Sequence, residues 1–97
     1  MTYRVKIYEN SHYMDESESH WLPRELSDCE SAVAACRQIV DDFLLDNHRQ
    51  GMSADDLWRL YTSFGEDPFI TPPDCAFSAW DYARRRCREL CPAVEEP

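Results

Sequence analysis

Between positions 12 and 20 the sequence reads His-Tyr-Met-Asp-Glu-Ser-Glu-Ser-His, a run of imidazoles and carboxylates. Side chains of these types ligate divalent cations. His12, Asp15, Glu16 and His20 form a candidate metal set, with Glu66 or Asp67 as further oxygen donors. The spacing follows no loop of defined ligand order, and the EF-hand pattern with its central glycine is missing. A solvated or partner-facing acidic loop is the preferred reading. Five cysteines offer a second route to chemistry. Cys29 and Cys36 share one expected helical stripe and Cys87 and Cys91 another, so two packed helices could bring four thiolates to a zinc ion. No Cys-x-x-Cys occurs, however. Positions seven apart lie roughly 10 Å apart along a helix axis, too far to clasp one ion or to form a Cys29–Cys36 disulfide. Buried, reduced cysteine acting as a small hydrophobe is the simpler expectation. Cys75 follows Pro72-Pro73-Asp74 in a loop. A nucleophile there needs a neighbouring base, and none of the three histidines is close in sequence.

Arg84-Arg85-Arg86-x-Arg88 is the one basic cluster. It falls in the C-terminal half of an expected helix, where cations favour the macrodipole. Residues 9 to 30 carry seven acids and one arginine, so docking of the run on that segment is expected ahead of phosphate binding. Trp21, Trp58 and Trp80, with Phe69 and Phe77, supply more aromatic surface than a small core readily hides. Trp80 and Phe69 are expected in the core, whereas Trp58 and Trp21 are the candidates for an exposed contact patch. With Gly51 and Gly65 the only glycines, neither a phosphate-binding Walker loop nor a dinucleotide fingerprint can be written. His-Glu-x-x-His and Gly-x-Ser-x-Gly are also absent. No catalytic set or cofactor is expected, which makes an enzyme the less favoured class.

The elements that would hold these residues follow from periodicity. Tyr3, Val5 and Ile7 alternate with Arg4, Lys6 and Tyr8, predicting a strand over 2–9. Residues 21–26 read either as a second extended piece, held to a sheet edge by Pro23, or as no strand at all. Ser27-x-x-Glu30, Ser53-x-x-Asp56 and Ser78-x-x-Asp81 read as N-caps for three helices, each followed by helical spacing. The first carries Cys29, Ala32, Val33, Cys36, Ile39, Val40, Phe43 and Leu44 on one face and ends before Gly51. The second carries Leu57, Leu60, Tyr61 and Phe64 and stops at Gly65. A short extended piece runs through Phe69 and Ile70. The third helix carries Trp80, Ala83, Cys87, Leu90 and Cys91, and Pro92 stops it. This order predicts an α+β fold, a small antiparallel sheet of two or three short strands packed by three α-helices. Residues 1–97 make a single domain, with 93–97 a frayed acidic tail.

Charge narrows the partners. Nineteen acidic residues against ten basic give a net charge of −9. Phosphate backbones and anionic lipid are bound by clustered Lys and Arg, so neither nucleic acid nor membrane is expected as a partner. No apolar run approaches the roughly 18 residues that span a bilayer, and the N-terminus lacks a signal peptide's apolar centre. A cytoplasmic location is expected, with the cysteines kept as thiols.

The blocks His12-Tyr13-Met14-Asp15-Glu16, Gly65-Glu66-Asp67-Pro68-Phe69-Ile70 and Phe77-Ser78-Ala79-Trp80-Asp81-Tyr82-Ala83 resemble a family of small bacterial proteins of unknown function. The likeness covers nearly the whole chain. It implies a bacterial cytosolic protein and brings no catalytic residues to carry over. The function expected is therefore an acidic protein-interaction or regulatory binding module, with a protein partner or a second copy of the chain bound through His12, Tyr13, Asp15, Glu16, Glu66, Asp67, Phe69 and Trp58. The alternative is a metal-binding protein or metal-dependent enzyme using the 12–20 loop.

Overall fold

A computed structural model describes residues 2–12, 17 and 19–92, with His12 described by its backbone alone. Strand β1 (Arg4–Glu9) runs into a single 3-10 turn at Asn10–His12 and is followed by the short strand β2 (His20–Trp21). Helices α1 (Cys29–Asn47) and α2 (Ala54–Phe64) come next, then strand β3 (Glu66–Thr71) and helix α3 (Ala79–Leu90). The sheet order is β2-β1-β3, antiparallel throughout. The expected α+β arrangement of three helices and a small antiparallel sheet is therefore the observed one. Among the described residues no helix is long and apolar enough to cross a membrane.

Strand alternation decides which side of the sheet is covered. Val5, Ile7 and Ile70 point to one face and pack with Ala32, Ala35 and Cys36 of α1. Small residues on this part of α1 let the helix lie close to the sheet. Four residues further along, Val40 and Leu44 join Leu57 and Tyr61 of α2 and Ala79, Ala83 and Cys87 of α3 in a second cluster. One helix thus serves both cores, its larger side chains filling the three-helix end. Full burial of a side chain such as Leu44 or Leu57 stabilises by about 1.5–3 kcal/mol.

Two of the three caps fall where the sequence places them. Ser53 Oγ accepts from the Asp56 N–H at 3.1 Å, and Ser78 Oγ from the Asp81 N–H at 3.2 Å. The first cap is Asp28, one residue beyond the expected Ser27; its carboxylate accepts from the Ser31 N–H at 2.7 Å. A charged oxygen is the stronger acceptor for an orphan helix N–H, and these bonds hold the Asp28 carboxyl below its ordinary range.

Three other expectations are corrected. Helix α2 buries Leu57 and Tyr61 with Ala54 and Trp58 beside them, while Phe64 is 68% exposed. At roughly 100° per residue the buried line is turned by about 60° from the Leu57–Leu60–Phe64 stripe toward Trp58. Among the described residues, the arginine run makes no ion pair with the 9–30 segment. Arg86 Nε donates to Asp41 of α1 at 2.9 Å and its Nη1 to Glu89 at 2.9 Å, because α3 packs along α1. Finally, Cys29 and Cys75 are joined in a disulfide. The segment after β3 returns across the first turn of α1 and sets the two Cα atoms 5.6 Å apart, within bonding range. Neither a reduced stripe cysteine at 29 nor a lone loop cysteine at 75 describes the pair, and a Cys29-containing zinc set is ruled out.

Candidate functional site

The end of the sheet at which β1 leaves and β3 begins is held by a polar network around Tyr61. This side chain is fully buried, and its hydroxyl donates to the Glu66 carbonyl at 2.7 Å. The Tyr61 carbonyl accepts from the Gly65 N–H at 2.8 Å and from Asn10 Nδ2 at 2.8 Å. Asn10 also donates its backbone N–H to the Gly65 carbonyl at 2.9 Å, and its Oδ1 accepts from Trp80 Nε1 at 3.3 Å. One buried asparagine thereby connects β1, α2 and α3. No local sequence signal marks it, because an asparagine after a strand reads as an ordinary turn residue.

Asp67 lies two residues into β3 and is 6% exposed, the one buried acidic or basic side chain among the described residues. Loss of water around the carboxylate raises its pKa to about 6, partly opposed by a hydrogen bond from the Trp80 side chain. The same carboxylate acts on its neighbours. Burial first, and then the charge of Asp67, push the Cys36 thiol up to about 12 and move the Tyr61 phenol well above its ordinary range. Both groups are consequently neutral at physiological pH.

Asp67 and Phe69 point the same way along β3, and Phe77, Ser78, Ala79 and Trp80 at the start of α3 complete a recess of about 190 Å³ with them. Each ring of the recess is braced by another. Trp80 meets Trp58 edge-on at 5.6 Å, Phe69 meets Tyr8 edge-on at 5.4 Å, and Phe77 lies 5.9 Å from Tyr82.

On the side of the sheet turned away from α1, cross-strand register sets Trp21, Lys6 and Phe69 in one row. Lys6 is the chain's one lysine. The Arg4 guanidinium stands 4.4 Å from the centre of the Trp21 ring, and Lys6 Nζ lies 5.4 Å from the Trp21 and Tyr8 rings. Trp21 is 39% exposed and Phe69 42%, so Phe69 is a surface residue and not the core residue expected from its neighbours in sequence.

The sequence candidates distribute as follows. Glu66, Asp67 and Phe69 all belong to β3 itself, which starts three residues before the extended piece expected at Phe69 and Ile70. His20 opens β2, with its Nε2 4.0 Å from Glu66 Oε2. Trp58 is partly buried against Tyr61 and Trp80, apart from the Trp21 row. Tyr13, Asp15, Glu16 and the His12 side chain lie outside the described residues. Among the described residues no group of three or more His, Cys, Asp or Glu side chains is placed to hold a metal ion. Cys36, Cys87 and Cys91 are buried free thiols, with Cys87 pushed up to about 11 by burial and then by Cys91. High thiol pKa values make poor nucleophiles.

The chain matches no family model, no curated protein and no solved structure at a significant level. The functional reading therefore rests on this geometry.

Proposed function

We propose that the protein is a small binding module that engages a protein partner through the open side of its sheet, centred on the row Trp21–Lys6–Phe69 with Arg4 and Tyr8. One observation carries this reading: two large rings stand about two-fifths exposed in a single cross-strand row, on the side opposite α1. Aromatic and arginine side chains are the groups enriched where protein surfaces meet and where binding energy concentrates. Arg4 and Lys6 make the row locally basic on a chain of net charge −9, so an apolar patch rimmed by carboxylates complements it. A second copy of this acidic chain is one such partner. The proposal extends this surface to the 12–20 loop and to Glu66 at the start of β3.

The likeness to a bacterial family and a cytosolic location belong to the same proposal. Against the second stands the Cys29–Cys75 bond, since disulfides persist mainly in oxidising compartments. Light scattering over a concentration series, combined with capture from cell lysate, tests the interaction reading with the double variant Trp21→Ala/Phe69→Ala. Wild type should self-associate or retain a partner at fixed stoichiometry. The variant should keep its melting temperature and lose at least tenfold in affinity. Equal association by the two proteins would refute the assignment.

A further inference from the structure

The recess beside Asp67 combines features that select a ligand class. Its walls include Phe69, Phe77 and Trp80, and its lining includes the one buried acidic group among the described residues. Wider grooves of about 510 and 560 Å³ occur elsewhere, lined by residues such as Asp55 and Arg88 or Glu30 and Arg37, without a buried charge of either sign. An anion entering the Asp67 recess would meet a carboxylate. The positive end of α3 offsets only about half a unit charge, and Ser78 and Asp81 already occupy that helix end. A hard metal cation asks for six or more oxygen ligands, whereas this lining is mostly hydrocarbon and ring. A weakly hydrated organic cation finds both an opposite charge and aromatic surface, the combination that binds methylated ammonium groups.

We propose that this recess is a binding site for a methylated ammonium group, with Asp67 as counter-ion and Phe69, Phe77 and Trp80 as its walls. The volume of about 190 Å³ accommodates a trimethylammonium head with a short stem. The bracing of Trp80 by Trp58, Phe69 by Tyr8 and Phe77 by Tyr82 keeps the walls in place before binding, so little ordering is required of the protein. The site goes beyond the sheet-face reading and does not depend on it, although Phe69 belongs to both. The titratable and polar groups within electrostatic reach of Asp67 are Tyr8 across the sheet, Glu66 next to it in the strand, Cys36 from α1, Tyr61 from α2 and Trp80 from α3. Cys36 and Tyr61 stay neutral below pH 8. Binding should therefore strengthen as pH rises through about 6 and Asp67 ionises, and a Glu66→Gln variant should keep that dependence.

The experiment is an NMR titration of the intact protein with tetramethylammonium chloride, read at the Trp80 indole N–H. Sodium chloride and the neutral tert-butanol serve as controls. A saturable shift at Trp80 with none at Trp21 is expected, and Asp67→Asn should weaken binding at least tenfold while the protein stays folded. Phe69→Leu, at a partly exposed position, should weaken it several-fold. Choline and a trimethyllysine peptide then separate a free small molecule from a modified side chain as the natural source; the tighter of the two identifies it. A response no larger than that to sodium chloride, or undiminished affinity in Asp67→Asn, overturns the proposal.

Discussion

Replacing Gly65 by alanine is expected to destabilise the protein by about 3 kcal/mol, the reverse of the usual small gain when alanine replaces glycine in a permitted conformation. The backbone at Gly65 has φ −78°, so the left-handed region plays no part. Space is the obstacle. A Cβ at this position would stand 2.5 Å from Tyr61 Cδ1 and 2.8 Å from the Tyr61 carbonyl oxygen. The ring cannot swing aside, because Tyr61 is fully buried and its hydroxyl is bonded to the Glu66 carbonyl. Nor can the carbonyl move freely, since it accepts from both Gly65 and Asn10. Overpacking costs about 1–3 kcal/mol and a lost buried hydrogen bond about 1 more. Urea unfolding of Gly65→Ala, with an unchanged m-value, measures the loss. A midpoint equal to that of wild type would show the approach of α2 to β3 to be looser than described.

Asp67→Asn is expected to raise stability, and by an amount that depends on pH. The folded-state pKa of Asp67 lies near 6, above the ordinary aspartate value of 3.8. Folded protein therefore holds the proton more tightly than unfolded chain does. Below about pH 4 both states are protonated and the carboxyl makes no difference. As pH rises from about 4 to 6 the unfolded chain ionises first, and native stability falls by an amount on the order of 3 kcal/mol. Above that range the cost is constant. Asparagine has no such charge, so the stability of the variant relative to wild type should climb between pH 4 and 7 and then level off. Its amide can still accept from Trp80, which preserves the packing. Denaturant melts of both proteins at several pH values provide the test, and parallel curves across the range would mean that Asp67 is ionised without penalty in the fold. A buried carboxylate that costs stability is the kind of group kept for a task, which accords with its position in the aromatic recess.

The contrast between what could be read from the residues and what could not follows the range of each interaction. Ser53 and Ser78 cap helices by bonding three residues ahead, so a local pattern is sufficient. Val5 and Ile7 reveal their strand by alternation for the same reason. Ser27 failed as a cap because Asp28 competes one position later, a choice between two adequate acceptors. The roles of Leu60 and Phe64 against Trp58 depended on how α2 rolls against α1 and α3, which no single-helix pattern fixes. Asn10, joined to positions 51 and 70 residues away, and Cys29, joined to a partner 46 away, carry no nearby mark at all. Of the candidate site, the Gly65–Ile70 block pointed to the right strand, yet Asp67 looked like one more solvated acid. Its burial comes from elements brought together by the fold, among them the start of α3 with Trp80.

The Cys29–Cys75 bond divides the polypeptide into a ring and two arms. Enclosed in the ring are α1, α2 and β3; β1 and β2 belong to one arm and α3 to the other. A peptide bond cut anywhere inside the ring, for example at Gly51 between α1 and α2, would leave both pieces covalently joined. Nicked protein should run as a single species without a thiol reagent and as two fragments with one. The ring also tethers β3, which supplies Asp67 and Phe69, to α1 independently of α3, which supplies the other wall of the recess.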